Sequence, residues 1–200
     1  WLGGGVRGDW GVSFISGKGV LEELFTALPV TLAVASLAFF WAFLFSIFLG
    51  TVMAVYKYRW ADRLLLLFSM ALTSLPGFWL AIVAMQLLCE EWHIFPTSGY
   101  GSLRHLFLPS AVLAAGTIGA VMRLERDALG EVLEKNYILT ARAKGLPFFY
   151  VVCKHALKNS LLPIVTMLGN YFGGLLGGAA VIELIFALPG LGTLVLNAVQ

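Results

Sequence analysis

Four apolar runs constrain this chain most, because they contain no Asp, Glu, Lys, Arg or His. They are residues 28–56, 64–89, 106–122 and 161–182. About twenty apolar residues are needed for a helix to cross the hydrocarbon core of a bilayer, and the third run is at the short end of that range. With 60% hydrophobic and 12% charged residues, the composition excludes an ordinary soluble domain. The sequence therefore predicts an all-α polytopic transmembrane helical bundle with four spans.

The basic residues predict the orientation of the spans. Of the thirteen Lys and Arg, three lie in residues 57–63 and seven in residues 123–160. Cytoplasmic loops carry an excess of Lys and Arg, so both loops are predicted to be cytoplasmic. Residues 1–27 then form an extracytoplasmic segment, residues 28–182 the transmembrane domain, and residues 183–200 an extracytoplasmic turn and the start of a further, truncated segment. The chain begins at Trp1 without a signal-peptide pattern, and we expect it to be part of a longer protein.

Proline and glycine predict local features of the spans. Pro29 is expected near the start of the first helix, preceded by a short interfacial helix over residues 20–25. The stretch Ser74-Leu75-Pro76-Gly77 predicts a kink or break in the second span. The fourth span has small residues at a spacing of four, which predicts a groove for close helix packing. These residues are Gly169, Gly173, Gly174, Gly177 and Gly178. Packing within this chain and packing against a second subunit are both open.

The polar segment 123–160 is long for a simple connector. Its helical run ends at Gly145-Leu146-Pro147, where Gly can adopt the left-handed conformation and Pro cannot continue a helix. We expect a short helix, a tight break and a second segment that leads to Pro163. Such a surface can dock a cytoplasmic partner, although a solvated basic loop on lipid headgroups is the alternative.

Chemistry-bearing residues are scarce in the sequence. The four runs contain no ionisable group of the kind that proton-driven carriers and voltage sensors use. Residues 16–19 lack the glycine and hydroxyl pattern of a nucleotide-binding P-loop. His93 and His105 are interpreted as interfacial residues rather than metal ligands, and no disulfide is expected between Cys89 and Cys153. We predict no catalytic or metal-binding residue and no nucleic-acid partner, so any energy for work must come from a partner protein.

Several motifs in order resemble those of a known family. They are Gly8-Asp9-Trp10-Gly11-Val12-Ser13, Pro76-Gly77-Phe78-Trp79-Leu80, residues 96–100 (PTSGY), residues 140–146 (TARAKGL), residues 155–163 (HALKNSLLP) and residues 186–192 (FALPGLG). Together they resemble ABC-importer inner-membrane permeases of the dipeptide/oligopeptide/nickel branch, the binding-protein-dependent transport system inner membrane components. Leu139 stands where many importers have Glu, and Thr140 at the first Ala of the coupling motif, which fits the peptide/nickel branch.

The resemblance implies a subunit of usually six helices that contributes half of a pathway for a peptide or a nickel chelate. It implies partners: a second homologous permease, two cytoplasmic ATPase subunits that hold ATP and Mg²⁺, and an extracytoplasmic binding protein. It implies an ATPase-coupling segment made of Thr140, Ala141, Arg142, Ala143, Lys144 and Gly145. Candidate pathway-lining residues are Ser74, Pro76, Thr166 and Asn170. A self-sufficient secondary transporter or channel, and a membrane scaffold that moves no solute, remain alternatives.

Overall fold

The computed structural model describes residues 10–13 and 15–199, which fold into helices joined by short loops. In chain order these are α1 (Val20–Val55), α2 (Trp60–Ser74), α3 (Gly77–Met85), α4 (Leu103–Leu133), α5 (Asn136–Ala143), α6 (Phe148–Val151), α7 (Leu157–Ile185) and α8 (Leu191–Val199). No strand occurs among these residues, and the predicted all-α class is confirmed. Of the motifs and segments quoted above, residues 1–9, 14 and 200 lie outside the described part.

Three helices are long and apolar enough to cross a membrane, and a fourth span results if the broken pair α2 and α3 counts as one. Helix α1 begins at Val20, before the apolar run 28–56 from which the first span was predicted. Residues 20–25 are the first turns of α1 rather than a separate interfacial helix, and Pro29 lies inside α1. Pro29 lacks an N–H, so the helix loses one backbone hydrogen bond there, and the apolar helix continues on both sides of it.

The second apolar run is broken where the sequence predicts it. Helix α2 ends at Ser74, Leu75 has an extended backbone, and α3 begins at Gly77. The Thr73 hydroxyl donates to the carbonyl oxygens of Ser69 and Met70, one turn earlier in α2. A π-helical turn, Gln86–Glu91, continues α3.

The helices that contain the third and fourth apolar runs extend beyond those runs. Helix α4 has 31 residues and extends through Leu133, well into the polar segment. Helix α7 follows α6 through a π-helical turn, Val152–Ala156, so the stretch Phe148–Ile185 is helical over 38 residues. The helices therefore include ionisable residues beyond the uncharged runs: Asp62, Glu125 and Glu183 are all buried.

The chain divides into two compact units, and α1, α4 and α7 each contribute one part to each unit. The first unit contains the described residues of 1–37, 78–113 and 175–200. Its core consists of Val30, Val34, Ala81, Cys89, Leu106, Leu108, Val112, Ile182, Phe186 and Leu188. Cys89 is a free thiol that packs in this core.

The second unit contains residues 38–77 and 114–174. Its helices approach one another closely at glycines: a Cβ on Gly119 would lie 2.7 Å from the Ser69 carbonyl oxygen, and a Cβ on Gly50 would lie 2.7 Å from that of Met122. A side chain at either position would push two helix backbones apart. Cys153, the other cysteine, is free and exposed.

Candidate functional site

The predicted coupling segment contains a short helix followed by a left-handed break. Helix α5 spans Asn136–Ala143 and ends just before Gly145, as predicted. Gly145 has φ of +80°, and its N–H donates to the Arg142 carbonyl oxygen at 2.9 Å. Pro147 then has an extended backbone and precedes α6. The predicted order of helix, break and helix is confirmed, and Gly145 is needed because L-residues with a Cβ rarely adopt this backbone conformation.

One side chain anchors α5 to the second unit. Ile138 is 1% exposed and packs with Ala54 of α1, Leu129 of α4 and Val151 of α6. Ala141, one turn further along α5, packs against the same cluster. We refer to Ala54, Leu129, Ile138, Val151 and Ala156 as the anchor cluster. It links α5 mechanically to the ends of α1 and α4.

The other faces of α5 and the break are exposed. Thr140, Arg142, Ala143, Lys144 and Gly145 are all accessible. Exposed apolar side chains accompany them, namely Leu139, Leu146, Phe148 and Phe149. The Arg142 guanidinium lies 5.5 Å from the centroid of the Phe148 ring and so bridges the break. A surface that mixes cations with exposed apolar groups is suited to bind another protein.

A buried ion pair supports the same unit. Arg126 Nε and Nη2 donate to the two carboxyl oxygens of Asp62, at 2.6 and 2.9 Å. Asp62 also accepts the Tyr58 N–H at 2.8 Å. The bidentate pairing fixes the start of α2 against α4, and it was not predicted from the sequence. A carboxyl group at the edge of an apolar helix was the available signal, because it requires a partner.

A second buried carboxyl group joins the helices that flank the coupling segment. Glu125 of α4 is fully buried, and its Oε1 accepts the Ser160 hydroxyl of α7 at 2.9 Å. Helix α1 reaches the same side chain, because a Cβ on Gly50 would lie 2.6 Å from Glu125 Cβ. Three helices therefore meet at Glu125, and two of them, α4 and α7, precede and follow the coupling segment in the chain.

In the first unit, Glu183 organises the turn between α7 and α8. Its carboxyl group accepts the Thr31 hydroxyl at 2.5 Å and the Gly192 N–H at 2.7 Å, and Thr31 Oγ1 accepts the Leu191 N–H at 2.9 Å. A Cβ on Gly190 would collide with this carboxyl group, and one on Gly192 with Ala180. Gly190 is therefore required by Glu183, which was predicted to lie outside the fourth span, and Gly192 mainly by Ala180.

Thr31→Val should destabilise this turn, because it removes a donor to a buried carboxyl oxygen and the acceptor for the Leu191 N–H. We expect a loss of about 2 kcal/mol, in the range measured for hydrogen bonds to charged groups. Thermal unfolding of the detergent-solubilised chain measures it. Thr26→Val is the matched control, since the exposed Thr26 hydroxyl bonds only to the Glu23 carbonyl of its own helix. Equal stability of both variants would contradict the role of Thr31.

The candidate pathway residues are all exposed, as are the five glycines of the predicted groove. Thr166, Asn170, Gly173 and Gly177 fall on one face of α7 by helical periodicity. A Cβ at Gly169, Gly173, Gly174 or Gly177 would meet no atom within 4 Å, whereas Gly178 faces Leu113. Within the described part of the chain, then, most of the glycine groove is open. One helix face holds both the polar candidates and the open glycines.

His93 and His105 each interact with a neighbouring residue. Nδ1 of His93 lies 3.2 Å from the Glu91 carbonyl oxygen, and Nδ1 of His105 lies 2.8 Å from the Ser102 hydroxyl. Over residues 10–13 and 15–199, no group of three or more His, Cys, Asp or Glu side chains is arranged to hold a metal ion.

Comparison with known proteins identifies relatives along the whole chain. The model of the family described as "Binding-protein-dependent transport system inner membrane component" matches residues 46–200. The glutathione transport system permease protein GsiC of Escherichia coli strain K12 is 37% identical over 200 residues, which is 100% of this chain and 65% of that protein. The protein of the same name from Salmonella typhimurium strain LT2 is 39% identical over 195 residues, 98% of this chain and 64% of that protein. The chain thus spans just under two-thirds of the length of these relatives. With its apolar helices, this chain is a multi-pass inner-membrane protein, and it belongs to the family of binding-protein-dependent transport system inner membrane components.

Proposed function

We propose that the protein is the permease subunit of an ATP-driven importer and forms half of the pathway for a small peptide-like solute. The observation that carries this proposal is the position of α5, which packs on α1 and α4 through Ile138 while its other faces stay exposed. A partner that displaces α5 would move the ends of both membrane helices with it, because a packed cluster transmits displacement rather than absorbing it.

The ATP and Mg²⁺ belong, in this proposal, to two cytoplasmic ATPase subunits that dock on Thr140, Arg142 and the break at Gly145. A second, homologous permease and an extracytoplasmic binding protein complete the assembly. Glutathione is the first solute to test, because proteins named for glutathione transport align with this chain along its length. A di- or oligopeptide and a nickel chelate are the other candidates.

The test is uptake into proteoliposomes that contain the complete complex. Labelled glutathione, a labelled dipeptide and a nickel chelate are compared with and without ATP inside the vesicles. We expect ATP-dependent uptake of glutathione that stops when the ATPase subunits are omitted. Uptake that persists without them would identify a secondary transporter or channel. An active ATPase with no uptake of any of the three solutes would favour a scaffold.

Gly173→Leu tests whether the open glycine groove of α7 contacts the second permease. The new side chain has room in this chain, so we expect normal membrane insertion and stability but loss of co-purification with the second permease. Gly119→Leu is the contrasting variant, because its Cβ would lie 2.7 Å from the Ser69 carbonyl oxygen and should destabilise the chain itself. An intact complex with Gly173→Leu would assign the groove to the pathway or to lipid instead.

A further inference from the structure

A cavity of about 550 Å³ opens where α1 ends and α2 begins. It is lined by Val52, Tyr56, Arg59, Trp60 and Ala61, all in the second unit. Two of these side chains are aromatic and well exposed, Trp60 to 74%. Val52 and Ala61 make part of the lining apolar. A single guanidinium group thus stands beside aromatic rings and an apolar surface.

The residues around this cavity predict a position at the membrane interface. The uncharged run 28–56 ends at Tyr56, and three basic residues follow in residues 57–63, namely Lys57, Arg59 and Arg63. Tyrosine and tryptophan concentrate at the level of the lipid headgroups, and basic residues mark the cytoplasmic side. The cavity therefore faces the headgroups of the cytoplasmic leaflet.

The backbone around the cavity is held in an unusual conformation. Tyr58 has φ of +67°, in the left-handed region that residues with a Cβ rarely occupy. The Tyr58 N–H donates to the Asp62 carboxyl group. The Arg126 guanidinium group donates to the same carboxyl group and holds it in place. The Arg59 N–H donates to the Tyr56 carbonyl oxygen at 2.9 Å and closes the turn. A strained turn that a buried ion pair maintains is typical of a functional site.

The charged residues around the cavity favour the binding of an anion in it. Asp62, the nearest acidic residue in sequence, is buried and directed to Arg126 and the Tyr58 N–H. Among the described residues Arg59 forms no salt bridge. Lys57 lies over the Tyr58 ring at 5.4 Å and adds a second cation nearby. A guanidinium group pairs well with the oxygens of a phosphate, and the apolar lining suits the glycerol and acyl parts of a lipid.

We propose that this cavity binds the phosphate headgroup of an anionic phospholipid from the cytoplasmic leaflet. Arg59 pairs with the phosphate, Tyr56 and Trp60 flank the headgroup, and Val52 and Ala61 contact its apolar part. The lipid then packs against the turn that Asp62 and Arg126 hold in place.

Native mass spectrometry of the purified full chain tests this proposal. The chain in detergent is titrated with dioleoylphosphatidylglycerol, and in parallel with dioleoylphosphatidylcholine. We expect tighter retention of phosphatidylglycerol, and roughly fivefold weaker binding of it to Arg59→Gln, as expected for the loss of one basic contact. Trp60→Ala should also weaken binding, and because Trp60 is 74% exposed the substitution should leave the fold intact.

Arg63→Gln is the matched control, because it removes the same charge from the first turn of α2, four residues after Arg59, and does not line the cavity. It should retain phosphatidylglycerol about as well as the unchanged chain. Equal losses in Arg59→Gln and Arg63→Gln would overturn the proposal in favour of general charge attraction. Equal retention of the two lipids, or displacement of phosphatidylglycerol by millimolar inorganic phosphate alone, would also overturn it.

Discussion

Gly145→Pro is expected to abolish ATP-driven uptake while leaving the chain inserted in the membrane. Proline restricts φ to about −65°, whereas Gly145 has φ of +80°, and proline has no N–H to donate to the Arg142 carbonyl oxygen. The direction of the chain between α5 and α6 must therefore change. Uptake by proteoliposomes and co-purification of the ATPase subunits should both fall to background, because the exposed faces of α5 and α6 no longer form one surface.

Gly145→Asn is the matched control for this prediction. Asparagine tolerates the left-handed conformation better than other residues with a Cβ, and an added Cβ would meet no atom within 4 Å. Its uptake rate should stay within about twofold of the unchanged protein. Normal uptake by Gly145→Pro would refute the assignment of ATPase coupling to Thr140–Gly145. Loss of membrane insertion would instead point to a structural role.

Arg126→Ala should produce the largest loss of stability. It leaves the carboxyl group of Asp62, whose side chain is 3% exposed, without its charged partner. Breaking one side of a buried pair costs about 3 kcal/mol or more, because the remaining charge stays out of water. For a chain of this size such a loss lowers the midpoint of thermal unfolding by roughly 6–12 °C. Size-exclusion chromatography after heating in detergent would measure it.

A second substitution separates the buried charge from the lost packing. Asp62→Asn in the Arg126→Ala background removes the unpaired charge but keeps an acceptor for the Tyr58 N–H. We expect this double variant to recover a large part of the lost stability. If both variants unfold at the same temperature, the loss comes from the packing of the Arg126 side chain. If neither differs from the unchanged protein, the pair contributes no stability.

The sequence was sufficient to predict the class of fold, the break at Ser74–Gly77 and the short helix that ends at Gly145. Each depends on local chemistry: uncharged apolar runs long enough for a bilayer, a proline that lacks a donor, and a glycine that can adopt positive φ. The family resemblance rested on motifs in the same segments, and it is confirmed by relatives that align along the whole chain. The coupling and pathway roles of the named residues remain predictions.

The ends of the helices were predicted less well, because polarity is a poor guide to where a helix stops. Residues 123–133 are polar, yet α4 continues through them, since Arg126 and Glu125 find partners in α2 and α7. Glu183 similarly stays within α7, because Thr31 and the Gly192 N–H bind its carboxyl group. A charged residue inside a helix can have a distant partner, so it does not mark the end of that helix.

By itself, then, the sequence determined that this chain is a helical membrane protein, which helices it contains in outline, and where its backbone breaks. The tertiary structure alone decided which polar groups are paired inside, that Ile138 anchors α5 to α1 and α4, and that Arg59 and Trp60 share a cavity. The physical reason is the separation along the sequence of the residues that interact. Span length and backbone conformation depend on neighbours in sequence, whereas a buried charge or an anchored side chain is stable only through residues as distant as Asp62 is from Arg126.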